Sequence, residues 1–475
     1  HVSHPGQRRL NALTSPSWPG VALLLTTALL GGCDRGPDLT PLLQPQSGGD
    51  TTVQENSRQA FSQPAANLVS ADRATFFVGN AFFNSPWVVA PASASARDGL
   101  GPLFNARSCD ACHNNDGRGQ PPLPGERPIS LVFQFSVPGT GPHGEAGPEP
   151  TYGGNLNPFA IDGVSAEGTV RIDVRELHGT FADGEAYTLL EPAYVFEDLG
   201  YGPFAPKTEI SPRVAPAVIG SGLLEQVPEA QVLEWVDAED RDGNGISGRA
   251  NHVVDLVTQK KVLGRFGWKA NQPDIAHQTS AAFSGEMGMA TSLRPGQNCM
   301  PAQAACNAAP TGGAPEISDD MFDRIVQYQR TLAVPARRNL DSAAVKTGAR
   351  LFLETGCSAC HRPELRTDGN AVLAELRNQT FHAFTDLLLH DMGPELADYR
   401  PDGEATGSEW RTPPLWGLGL QHLVNGHTRL LHDGRARNAS EAILWHGGEG
   451  SASRDAYKAL SKRDRDALIA FLDSL

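Results

Sequence analysis

A mainly α-helical fold, built as two similar units, is what this chain predicts, and three observations lead there. The pentapeptide Cys-x-x-Cys-His occurs twice, as Cys109-Asp110-Ala111-Cys112-His113 and as Cys357-Ser358-Ala359-Cys360-His361. An apolar pair precedes each copy at the same distance, Leu103-Phe104 in the first and Leu351-Phe352 in the second. A stretch of helical apolar spacing follows each copy. The first carries Met321, Ile325, Val326, Tyr328 and Leu332 within Asp319 to Leu332, and the second carries Leu468, Ile469, Phe471 and Leu472 within Asp464 to Leu475.

Cys-x-x-Cys-His is the attachment signature of a c-type haem. Its two thiols reach the two vinyl groups of one porphyrin, and the histidine is then placed to bind the iron. Cys109, Cys112 and His113 would serve one haem, and Cys357, Cys360 and His361 a second. A structural zinc site or a thioredoxin-like redox pair also uses paired cysteines, but neither requires His directly after the second Cys, twice. Each unit is therefore expected to be a cytochrome c-like haem domain. Gly and Pro number 50 and 36, which predicts long irregular loops and a few short strands between the helices.

Along the chain, residues 1–33 read as a lipoprotein signal peptide: Arg8 and Arg9, the apolar run Val21 to Leu30, then Leu30-Gly31-Gly32-Cys33. The run is too short to span a bilayer. Cleavage before Cys33 with lipid on its sulfur predicts a periplasmic, membrane-anchored lipoprotein of a bacterial envelope; an incidental cysteine is the alternative. Residues 34–71, polar and rich in Gly, Pro, Gln and Ser, read as a flexible tether. Residues 72–335 follow as the N-terminal haem domain with a large insertion, and residues 336–475 as the C-terminal one. The formal charge of −15 argues against nucleic acid and suits a basic redox partner.

Of seven cysteines, Cys33 and the four motif residues leave Cys299 and Cys306, read as a disulfide across a short loop. Catalytic free thiols are the alternative, and nothing basic flanks them to activate a thiolate. Asp240, Asp242 and Asn244, followed by Gly245 and preceded by Asp237, resemble the first half of a calcium loop. Asn251 stands where an EF-hand has Glu, so an acidic turn without metal is the other reading.

Several stretches resemble the di-haem oxidoreductase family: Gly101-Pro102-Leu103-Phe104-Asn105, Arg265 to Ala270, Leu387 to Gly393, Glu409 to Trp416 and Leu431 to Ala436. The resemblance runs from about Asp72 to Leu475. Its wider relatives are bacterial di-haem cytochrome c peroxidases, the di-haem enzyme that matures methylamine dehydrogenase, and rubber oxygenase. In those relatives the outer ligand of the C-terminal haem lies fourteen residues after the His of His-Asp-Gly. Here that residue is His446, where the peroxidases have Met and the maturation enzyme has Tyr. A second imidazole is expected to lower the potential of that haem relative to a His/Met site. Asn438 with Glu441 reads as a helix start, and His446 ends that helix before Gly447-Gly448; a His that merely caps the helix is the alternative.

At the N-terminal haem the distal His of the peroxidases falls on Ile129, so the resemblance implies an open sixth position. His143, His178, His252 and His277 are the other imidazoles available. Trp268 matches the tryptophan between the haems, and Gln278 and Glu286 match the Gln and Glu of the distal pocket. A carboxylate there can take the peroxide proton and return it to the departing oxygen; a solvated loop Glu is the alternative. The relatives also hold calcium between the haems, partly through two positions that are His427 and Arg429 here.

The expectation is an exported di-haem c-type oxidoreductase of peroxidase type. It would reduce hydrogen peroxide or a related oxidant with electrons relayed between the haems, delivered by a small redox protein or a quinol-linked donor. Two alternatives stand beside it: an oxygenase or oxidase acting on an organic or protein substrate, and an electron carrier in which both irons have two protein ligands.

Overall fold

Both predicted closing helices form, and each meets an earlier helix at a glycine. In this computed structural model, which describes residues 37–94, 96–141 and 144–475, they span Asp319–Arg330 and Lys462–Ser474. The signal segment, Cys33 and His143 lie outside the described residues. Ser318 and Ser461 cap the two helices by accepting from the backbone N–H three residues on. The first packs on the helix Ser70–Asn84, where Phe76 and Phe83 tilt against Tyr328 at 4.8 and 5.3 Å. A Cβ at Gly79 would stand 2.3 Å from Arg324 O. The second packs on the helix Ala343–Glu354, with Phe352 and Phe471 5.2 Å apart, and a Cβ at Gly348 would stand 2.0 Å from Ala467 O. Small residues at these crossings let the backbones touch.

The mainly α expectation does not hold: the protein is 28% helix and 18% strand. Two antiparallel assemblies account for most of the difference. Thr169–Thr180 pairs with Ala186–Glu197 through twelve residues each, and Leu131–Thr140 pairs with Glu209–Val214 and with Ala146–Gly147. The hairpin follows from Val170, Ile172 and Val174 alternating with Arg171, Asp173 and Arg175, a period of two that commits a strand to two different faces. Phe133, Phe135, Tyr152, Tyr194, Phe196 and Phe204 pack largely edge to face over it.

The equal spacing before the two pentapeptides hides unequal structure. Leu351-Phe352 ends a helix, whereas Leu103-Phe104 is a short strand paired with Phe159–Ala160. Pro102 keeps Gly101 out of helical backbone, and Gly101 lies so close to Gly288 that a Cβ would stand 2.3 Å from its carbonyl oxygen.

The expected tether is also corrected from Leu39 onward. Thr40–Leu43 is a 3-10 turn whose Leu42 is buried with Phe352 and Phe471, and Phe61 is buried with Ile219 and Trp416. A polar average composition conceals a few apolar residues that find sites in the cores. Leu39–Leu475 is one unit.

Candidate functional site

The two pentapeptides open on one cavity of about 760 Å³, which both line. In each loop the His amide donates to the carbonyl of the first Cys, at 2.9 Å from His113 to Cys109 and 3.0 Å from His361 to Cys357. This turn brings the two thiols and the imidazole to one side. All four cysteines are free thiols, and burial first of all raises Cys109 to about 12 and Cys112 and Cys357 above the ordinary range. Thiols held protonated are poor nucleophiles, which disfavours thiol catalysis. Cys299 and Cys306 form the expected disulfide.

Three histidines share one arrangement. His113 Nδ1 donates to Pro216 O at 2.7 Å, His361 Nδ1 to Phe384 O at 3.0 Å, and His446 Nδ1 to Ala442 O at 2.7 Å. A carbonyl only accepts, so each ring carries its proton on Nδ1 and leaves the Nε2 lone pair for an iron. Burial lowers the proton affinity of all three; His361, with His446 nearby as the second cause, falls to about 4. The helix leading to His446 is Ala439–Leu444, capped by Asn438 through Glu441 N at 2.9 Å. His446 lies two residues beyond it, so its ring serves the cavity as well as the helix end.

The N-terminal end differs. Gln278 and Glu286 sit on the capped helix Ile275–Met287, and both line the cavity. Glu286 is no solvated loop residue. Burial alone raises it to about 7, its charge acts on Cys109 and Cys112, and its backbone carbonyl accepts from Asn105 N at 2.7 Å. Its carboxylate and the Gln278 amide have no hydrogen-bond partner among the described residues; their accessible surface is cavity wall.

None of the described alternative histidines reaches the cavity. His277 is fixed between Asp274 and Leu256 N, His252 meets Glu404, and His178 lies on the exposed hairpin with Thr188. Ile129 contributes its carbonyl to Cys112 Sγ at 3.4 Å.

Two tryptophans also line the cavity, one of them against a buried lysine. Trp268 lines the cavity, donates from Nε1 to Val214 O at 2.8 Å, and lies 5.0 Å beneath the Arg118 guanidinium. Trp410 stacks on His432 at 3.8 Å with 9° between the rings. Lys269, fully buried, donates to Asp398 Oδ1 at 2.7 Å, Arg400 O at 2.8 Å and Thr406 O at 2.7 Å.

Sequence reasoning missed two features. His390 bridges Asp386 (2.8 Å) and Glu449 (2.7 Å) with its two nitrogens and meets Cys360 Sγ at 3.7 Å; burial works against its charge, and Asp386, then Cys360 and Glu449, outweigh it to keep the imidazolium. The two carboxylates come from distant positions, so no local pattern announces them. The second feature is a set of buried guanidinium nitrogens, on residues of the cavity wall, that make no hydrogen bond: Arg118 Nε, Arg400 Nε and Arg213 Nη2, the last lying 3.9 Å from Asp398 Oδ2. In the acidic loop, Asp237 joins Asp240 and Asp242 within 4.8 Å, whereas Asn244 turns to its own loop, accepting from Ile246 N at 2.7 Å. Arg429 O is taken by Gln421 Nε2 at 2.9 Å.

This cavity, with one accepting imidazole beside each thiol pair, defines a protein that holds a pair of porphyrin-type redox groups. The family model described as "Di-haem oxidoreductase, putative peroxidase" matches residues 43–129 and 206–475, and the chain belongs to that family. No curated protein matches it. The residues present fit two haems: each end of the cavity carries two thiols and an imidazole whose Nε2 is left to accept a metal.

Proposed function

We propose that the protein is a di-haem peroxidase-type oxidoreductase whose haems are attached through Cys109 with Cys112 and Cys357 with Cys360, and whose reactive site is the N-terminal one. The observation that carries this is the contrast across the cavity: His361 has a second available imidazole, His446, near it, while His113 shares its end with an unpartnered acid and amide. His361 and His446 would then both hold the C-terminal haem, and the N-terminal haem, held by His113, would leave a place for an oxidant.

Hydrogen peroxide takes up two electrons and two protons to give two waters. The haem irons, when bound, supply the electrons and the binding position for the oxidant. Glu286 takes a proton from the incoming oxygen and returns it to the departing one, and solvent supplies the remaining two. A carboxyl group poised near 7 is matched to both halves of that transfer. Gln278 orients the oxidant by hydrogen bonding. Trp268, held by Val214 O, carries electrons between the ends.

Export as a lipoprotein through Cys33, a periplasmic location and delivery of electrons by a small redox protein or quinol-linked donor belong to the same reading, supported by the signal-like segment and the acidic charge. Calcium at Asp237, Asp240 and Asp242 is supported by the clustering of their carboxylates alone.

The test is low-temperature EPR of the ferric protein, repeated after one electron per molecule and after peroxide. A high-spin signal that peroxide alters supports the reading. Two low-spin signals that ignore peroxide would make the protein an electron carrier.

A further inference from the structure

The family match breaks between residues 129 and 206, yet the intervening segment lines the N-terminal end of the cavity with Gln134, Tyr152, Asn155 and Asn157. Asn155 lies against the helix that carries Glu286: a Cβ at Gly285 would stand 2.6 Å from Asn155 Nδ2. Its amide makes no hydrogen bond among the described residues. Gln134 is its cross-strand neighbour and lines the same cavity.

The backbone around Asn155 is held firmly. Phe135 N donates to Gly154 O at 2.8 Å and Leu156 N to Phe133 O at 2.9 Å. Leu156 O accepts from Asn105 Nδ2 at 2.8 Å, next to the first pentapeptide. Asn157 is clamped by Glu167 Oε2 at 2.6 Å and by Asn298 Nδ2 at 2.9 Å, and Gln303 holds Glu167 Oε1 at 2.6 Å. Gln303 lies within the loop closed by Cys299–Cys306 and Asn298 directly precedes it, so the disulfide braces this wall.

A firmly held wall in which the Asn155 amide has no protein partner is arranged for a ligand that supplies one. An apolar ligand would leave that amide unsatisfied, and desolvated polar groups without partners discriminate strongly. We propose that Asn155, with Gln134 beside it, is the specificity-determining face of the N-terminal site, selecting a small hydrophilic hydroperoxide over apolar organic substrates. The inference rests on the peroxidase reading above and names the substrate class for it.

The test uses the haem-loaded full chain, in wild-type, Asn155→Ala and Asn155→Leu forms. Stopped-flow rates are measured with hydrogen peroxide and with cumene hydroperoxide, and the dissociation constant of azide is read from the Soret shift. Wild type is expected to favour hydrogen peroxide. Asn155→Leu is expected to slow it roughly tenfold, weaken azide by a similar factor and raise the relative rate with cumene hydroperoxide, with Asn155→Ala intermediate. The midpoint potentials and the resting EPR spectrum are expected to stay unchanged. Unaltered selectivity and azide affinity in both variants, or a loss of haem or a shift of both potentials in both, would overturn the proposal. A wild type inert to both hydroperoxides would instead overturn the parent reading.

Discussion

The two pentapeptide sites begin alike and end differently. Each loop makes the same turn, each His gives its Nδ1 proton to a backbone carbonyl, and each is closed by a helix pair crossing at a glycine. What stands across from them is not alike: His446 at the C-terminal end, and Glu286 with Gln278 and Asn155 at the N-terminal end. A local sequence can thus fix how a redox group is held while the surrounding fold decides what that group does. A site with two imidazoles suits storage and relay of an electron. A site with an imidazole and a free acid suits proton-coupled chemistry.

The largest effect should come from removing attachment at one end. Cys112→Ala is expected to abolish complete attachment of one haem and leave the other, read by mass spectrometry of the intact protein; two fully attached haems would break the comparison at its root. Glu286→Gln keeps the shape of the helix and removes the proton carrier. Turnover with peroxide is expected to fall at least about a hundredfold, while the potential of the C-terminal haem stays in place.

His446→Met acts on the other end. The potential of one haem is expected to rise by about 0.1 V or more in a potentiometric titration, with the other unmoved. Two unmoved potentials would remove His446 from the ligands. Gly79→Ala and Gly348→Ala push a methyl into the facing helix in each half, and each is expected to cost about 1–3 kcal/mol of stability in denaturant unfolding. Similar losses would sharpen the likeness between the helix pairs.

The smallest effect is a titration. If Glu286 acts as a base, the rate with peroxide climbs as pH rises through about 7, and the climb disappears in Glu286→Gln. The same raised value carries a stability cost that is absent below the ordinary 4.5, grows as pH rises from there to about 7, and is full above it.

The pentapeptides, both closing helices, the disulfide and the capped helix before His446 are legible in the sequence because each rests on local spacing: ligand offsets, a 3.6 period, a cap three residues from its partner. The strand content is equally local in the hairpin, where Val170, Ile172 and Val174 alternate with charges, but the two haem motifs point towards helix and outweigh it. Composition misleads over residues 39–71, since averages do not show that Leu42 and Phe61 have core sites waiting for them. Only the tertiary structure decided that Glu286 is a cavity-facing acid beside Cys109 and Cys112, that His390 binds two carboxylates from either side, and that Asn155 closes the wall above Gly285. Each of these depends on contacts between segments far apart in the chain. Burial and the juxtaposition of unlike charges are properties of the packed whole, and no periodicity in the sequence encodes them.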